Sequence, residues 1–195
     1  GVQTCALPIY FARAHPNVTV EVHLARNAAL VRRMEEGRLD LALSWDTGAD
    51  WPYSETLGQL PLCWIGPAAT QATDPTPSDP LPLVLFEAPC VMRSAATAAL
   101  DAAGRAWRVA VSSASLPGIW TAVGAGLGVT VRTRVGLPDH LVVRNDLPAL
   151  PRVGLVLHRA TDPAPEAVKR LADIMVDTVA DMGIDRPRHT AGEEP

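Results

Sequence analysis

The residues of this 195-residue chain that could carry covalent or metal chemistry stand at spacings that support none of it. The cysteines Cys5, Cys63 and Cys90 are an odd number without CxxC spacing, which argues against a disulfide framework and against a zinc site. The histidines His15, His23, His140, His158 and His189 show no i,i+4 pairing and no carboxylate-rich setting, so no metal is assigned to them. No GxSxG elbow, phosphate-cradling glycine loop or paired-carboxylate motif stands in a suitable context for a nucleophile or a general acid. The reading is a non-catalytic chain without cofactor. Cys90, directly after Pro89, has one reactive interpretation. A thiolate held by a helix start and by Arg93 would act as a redox sensor, against the plainer reading of a buried, inert thiol.

Bulk properties narrow the partners. With 48% apolar residues the chain can fill a core, as one ordinary domain or two small lobes. A formal charge of −4, with 17 Lys+Arg against 21 Asp+Glu, offers a phosphate backbone nothing. The arginines are scattered, with no helix-turn-helix pattern, so direct nucleic-acid contact is not expected of this chain. No apolar run approaches the roughly 20 residues of a membrane span, and no basic n-region leads into an apolar core, so neither membrane nor export is expected. Free thiols without a pairing pattern fit a reducing cytoplasm. The chain opens on Gly1, which predicts a fragment or a processed form. Because 1–9 resembles sequencing-adapter read-through, no role is placed on Cys5.

The elements that would position any site follow from periodicity. Ala6–Ala14 reads as the end of an amphipathic helix carrying Leu7, Tyr10 and Phe11, broken at His15-Pro16-Asn17. Val18, Val20 and Val22 alternate with Thr19, Glu21 and His23, predicting a strand with one buried face. Asn27 is placed to cap a helix over Ala28–Glu36, with Leu30, Val31 and Met34 inward and Gly37 at its end, before a strand over Arg38–Leu43. Strand, helix and strand in that order predict a parallel βαβ unit. Leu60–Ile65 reads as a further strand, Ala68–Pro82 as linker or loop, and Leu83–Phe86, Met92–Ala103 and Trp107–Val111 as a second βαβ series. Ser112–Ser115 can cap a helix over Leu116–Val123, followed by strands at Val129–Arg132 and Val153–His158. Pro165–Met182 is a long amphipathic helix, and 184–195 a polar tail expected to be disordered.

The run FARAHPNVTVEV (Phe11–Val22) followed by LVRRMEEGRLDLAL (Leu30–Leu43) resembles the LysR-type regulator pattern of a helix ending in His-Pro, a Val-rich strand, a helix and Gly-x-Leu-Asp-x-Ala. LPLCWIGP (Leu60–Pro67) and VGAGLGVTV (Val123–Val131) are similar to that family's crossing strand and its helix-to-strand turn, and the resemblance covers about Leu7–Asp181. It implies an α/β fold of the type II periplasmic-binding-protein kind, two βαβ lobes around an inter-lobe crevice. The first lobe would comprise 1–66 with 159–183, and the second 67–158. It also implies that a winged helix-turn-helix, a linker helix and the first, central strand of the first lobe are absent here. Lost ladder bonds at about 1–3 kcal/mol per buried unsatisfied group would leave a weakly stable fragment.

In open parallel sheets ligands bind beyond the carboxyl ends of the strands, which singles out Ala25–Asn27, Ser44–Thr47, Glu87–Ser94 and Ser112–Leu116. By the resemblance, a small-molecule effector would be held there by Asn27, Ser44, Arg93, Ser113 and Ser115. Arg93 near a helix start suits an anionic carboxylate, its plainer role being a surface pair with Glu87. Trp45 would wall an apolar part of the pocket, or simply pack. The resemblance further implies a homo-oligomer, dimer or tetramer, to which the Ala28–Met34 face would contribute or else pack internally. Most of the matching residues specify the fold and touch no ligand. A free solute-binding receptor of the same fold, or an enzyme built on it, are the competing readings. An upstream export signal would point to the first and turnover to the second.

Overall fold

The computed structural model describes residues 11, 16–48, 51–68, 79–181 and 184. In chain order the elements are α1 (Asn27–Glu35), β1 (Leu41–Trp45), β2 (Ser54–Pro61), β3 (Cys63–Pro67), β4 (Leu81–Phe86), α2 (Val91–Ala102), β5 (Trp107–Ser113), α3 (Leu116–Gly124), β6 (Thr130–Arg132), β7 (Leu141–Arg144), β8 (Arg152–Arg159) and α4 (Glu166–Asp181). They form two compact units, Gly1–Leu60 with Val153–Pro195, and Pro61–Arg152.

In the first unit the sheet order is β1-β8-β2. α1 buries Leu30 and Met34, four residues apart on one face, against Ala42 of β1, with Leu39, Trp51 and Ala160 around them. Gly37, at φ +65°, ends the helix in a conformation that β-carbon-bearing residues avoid. Phe11 is helical and 1% exposed. The rest of the expected Ala6–Ala14 helix lies outside the described residues, as do Cys5 and nearly all of the polar tail.

Several expectations fail in this unit. Val18–Leu24 forms no strand, and Val22 and Leu24 are 56% and 88% exposed. Alternation states only which face a strand would bury; a strand also needs a neighbour offering ladder donors and acceptors. No ladder joins this segment among the described residues. The first parallel βαβ unit is therefore absent, and β1 runs antiparallel to β8, with Ala42 opposite His158 and Ser44 opposite Val156. β1 also sits further along than read, so Ser44 and Trp45 lie within the strand and not after it.

In the second unit the expected βαβ series is present. β4 and β5 are parallel, joined through α2, which buries Met92, Ala96 and Leu100. A second sheet has the order β6-β3-β7, and β3 pairs antiparallel on both sides. The core gathers Ile65, Val84, Ile119, Val123 and Leu141. The expected single strand Leu60–Ile65 is instead two, β2 and β3. β7 was not foreseen, because four residues flanked by polar turns carry too little periodicity to mark a strand.

Gly126 and Gly128 have φ of +76° and +153°. Val129 N–H donates to the Pro82 carbonyl at 3.0 Å, and Val84 N–H donates back to the Val129 carbonyl at 2.9 Å. A β-carbon on Gly128 would collide with the Pro82 carbonyl group, its carbon 2.8 Å away. β4 and the start of β6 lie this close only because position 128 has no side chain.

Candidate functional site

The sequence-predicted residues fall into the two units separately. In the first, Asn27 does not cap α1: the N-cap is Arg26, and no side chain bonds the free N–H groups there. Asn27 is the first helical residue, and its side chain turns to β1. Its Nδ2 donates to the Trp45 carbonyl at 2.5 Å, and its Oδ1 accepts the Trp45 N–H at 3.4 Å. One amide thus ties the helix start to the strand end. Asn27→Ala is expected to lower stability by about 1–2 kcal/mol, because two hydrogen bonds to the Trp45 backbone are lost; urea denaturation followed by far-UV circular dichroism measures it.

Ser44 is 6% exposed and shares a hydrogen bond of 2.8 Å with Nε2 of His158, whose Nδ1 lies 2.8 Å from the Ser54 hydroxyl. The two hydroxyls satisfy both ring nitrogens of a histidine that is itself 6% exposed. Beside this chain is a cavity of about 120 Å³, lined by Leu30, Met34, Ala42 and Trp51, with Glu35, Ser44 and His158 as its polar residues. Trp51 Nε1–H is occupied by the Arg159 carbonyl at 2.8 Å. The sequence reading missed His158, a lone histidine at the end of an otherwise apolar strand. No local signal distinguishes it, since its hydroxyl partners come from residues 44 and 54.

Burial pushes the His158 pKa below its ordinary value of 6.5, and the nearby Asp46 carboxylate works against that shift. Below 6.5 the unfolded chain therefore binds more protons at this site than the folded chain does. The stability contributed by His158 is complete above the unfolded pKa and declines as pH falls through about 6.5 towards the lower folded value. Urea midpoints measured across this range should drop for the wild type and drop less for His158→Gln. Parallel profiles would count against the assignment.

In the second unit Ser115 caps α3, its Oγ accepting the Gly118 N–H at 3.2 Å, while the Ser113 Oγ accepts the Ser115 N–H at 3.2 Å. The helix start is thereby built from two serine hydroxyls, as expected of Ser112–Ser115. Arg93 donates from Nη1 to the Phe86 carbonyl at 3.1 Å, tying the end of β4 to the first turn of α2.

Arg132 is the residue the reading passed over. It lies within the run Val129–Thr133, whose other four residues are all buried. Its guanidinium carbon stands 4.0 Å from the Phe86 ring centroid, Nη1 lies 3.0 Å from Met92 Sδ, and the Cys90 side chain is its other hydrogen-bonding neighbour. Nε is buried without an acceptor. Burial lowers the Arg132 pKa, and Cys90 partly opposes that. A charged residue inside a run of buried positions was the available signal.

Among the described residues no group of three or more His, Cys, Asp or Glu side chains could hold a metal ion, and no helix is long and apolar enough to cross a membrane.

Solved structures share the fold of these two α/β units. The regulatory domain of CcmR from Synechocystis PCC6803, solved with 2-PG, superposes with a TM-score of 0.71 at 16% identity, covering 92% of each chain. The effector binding domain of QuiR, solved with shikimate, gives 0.69 at 12% identity over 93% of this chain and 92% of that one. The family model described as LysR substrate binding domain matches residues 10–180, and the chain belongs to that family. The HTH-type transcriptional regulator DgdR of Burkholderia cepacia is 34% identical over 152 residues, which is 75% of this chain and 50% of DgdR. The chain thus spans half the length of that relative.

Proposed function

We propose that this chain senses a small-molecule effector on behalf of a LysR-type transcription regulator, and that DNA is bound by a part of the protein other than this one. The observation that carries the reading is the family match over residues 10–180, joined to a relative that is a regulator twice as long as the matched region. The charge of −4 and scattered arginines favour a sensing role over direct DNA contact. The reading is of a non-enzymatic, cytoplasmic domain, in a protein that forms a homo-oligomer.

The proposed effector contacts are Asn27, Ser44 and Trp45 in the first unit and Arg93, Ser113 and Ser115 in the second. Several already have intramolecular work, and this supports a site whose polar groups are held in place before the ligand arrives. The effector is proposed to be anionic. Solved relatives of the fold hold 2-PG and shikimate, the latter a carboxylate, and the second unit presents cationic groups near a helix start.

A metabolite panel screened by thermal shift on the 195-residue chain tests this. A ligand at about 100 times its Kd adds about 2.7 kcal/mol, or about 5–10 °C in Tm for a chain of this size. At least one small organic acid should produce such a shift. The reading frame upstream should encode a winged helix-turn-helix of about 60 residues. A secretory signal peptide there would sink the proposal.

A further inference from the structure

Among the described residues none supplies Arg132 with a counter-charge. Its neighbours there are an aromatic face, a thioether and a thiol, and its Nε–H finds no acceptor among the described residues. Removing a guanidinium from water without pairing it is costly, and such a residue is ordinarily matched by a carboxylate or by hydrogen bonds to every donor. Arg132 is nonetheless held firmly: it sits in β6 opposite Cys63, with Thr130, Val131 and Thr133 buried around it.

A second feature lies beside it. α2, a helix of 12 residues, has Cys90 as its N-cap, and the Cys90 side chain makes no capping bond to the first N–H groups. Met92, in the first turn of that helix, touches the Arg132 guanidinium, so the positive end of the helix and the under-bonded arginine adjoin. Both favour a negative oxygen, and a guanidinium adds the directed fork that a carboxylate or phosphate matches.

We propose that Arg132 is the principal anion-holding group of the second unit, taking the carboxylate or phosphate of a ligand beside the N-terminus of α2. The inference rests on the effector-sensing reading and deepens it by naming a residue and a ligand class. It also shifts the principal anion contact away from Arg93, whose Nη1 is committed to the Phe86 carbonyl.

The test uses the whole 195-residue chain, with acetate, inorganic phosphate and neutral acetamide as probes at constant ionic strength. Arg132→Met keeps much of the stem and removes the charge, and Arg108→Gln, an exposed change on β5, serves as the control. Without added anion, Arg132→Met is expected to melt at or above the wild-type temperature, because an uncompensated buried charge has gone. With acetate or phosphate the wild type and Arg108→Gln should gain Tm saturably and overtake Arg132→Met, which gains nothing, while acetamide moves none of them. In the wild type the Arg132 Nε–H resonance in a ¹H–¹⁵N spectrum should shift along the same saturation curve. The acetate and phosphate arms identify which anion the site takes.

Three results would overturn the proposal: equal anion-dependent gains in wild type and Arg132→Met, an unmoved Arg132 resonance, or Arg132→Met melting lower than the wild type with no anion dependence in either. None of these touches the effector reading, which stands or falls on the metabolite panel and the upstream reading frame.

Discussion

Gly128→Ala is expected to cost about 3–5 kcal/mol and to unfold much of the second unit. Two penalties coincide there. The backbone at φ +153° is a conformation in which an L side chain is strained, and the new β-carbon would meet the Pro82 carbonyl group, which is backbone and has no rotamer to change. Relief would require β4 and the start of β6 to separate. That would break the Val129 N–H bond to Pro82 and the Val84 N–H bond to Val129, in the middle of the residues that bury Leu83 and Val84 completely. Gly37→Ala supplies the comparison. It also has positive φ, +65°, but nothing lies within 4 Å of a β-carbon there, so only the backbone preference of about 1–2 kcal/mol should be lost. Urea midpoints of the two variants separate collision from conformation. Equal losses would mean that the close approach at 128 is not what holds the two segments together.

The second large effect belongs to Trp64, in the central strand of the β6-β3-β7 sheet and 2% exposed. Trp64→Ala should cost about 3–5 kcal/mol, from lost burial and the cavity left behind. Its indole N–H also donates to the Pro148 carbonyl at 2.8 Å, across 84 residues of sequence. Trp64→Phe retains most of the apolar area and leaves that carbonyl without its donor, a loss of about 1–3 kcal/mol. The difference between the two variants isolates packing from the hydrogen bond. If Trp64→Phe proves as damaging as Trp64→Ala, the indole N–H matters more to this sheet than the ring's volume.

Both residues stood in stretches the sequence marked out, the Val123–Val131 turn and the Leu60–Pro67 strand, and in each the particular partner was unreadable. Pro82 and Pro148 are brought to them by tertiary folding, and nothing at positions 128 or 64 encodes which carbonyl will arrive. The same limit governs the candidate site. Ser113 and Ser115 were legible because a helix start and its cap are neighbours in sequence, so local chemistry decides their bonds. Ser44 and His158 were not legible as a pair. They are 114 residues apart and meet only because β1 runs antiparallel to β8.

Read alone, the amino-acid sequence determined the α/β class, the second βαβ series, the long helix that follows β8, the glycine turn at 126–128 and the family to which the chain belongs. Those features rest on apolar periodicity, capping and φ preferences, which act over a few residues. Only the tertiary structure decided the remainder. Val18–Leu24 has the alternation of a strand and forms none, because a ladder needs a partner that alternation cannot supply. Asn27 has the chemistry of a cap and instead binds the end of β1. Arg132 was one arginine among many until folding enclosed it between Phe86, Cys90 and Met92. Burial turns a common charge into one that demands a counter-ion, and burial is a property of the packed chain, which no short stretch of residues possesses by itself.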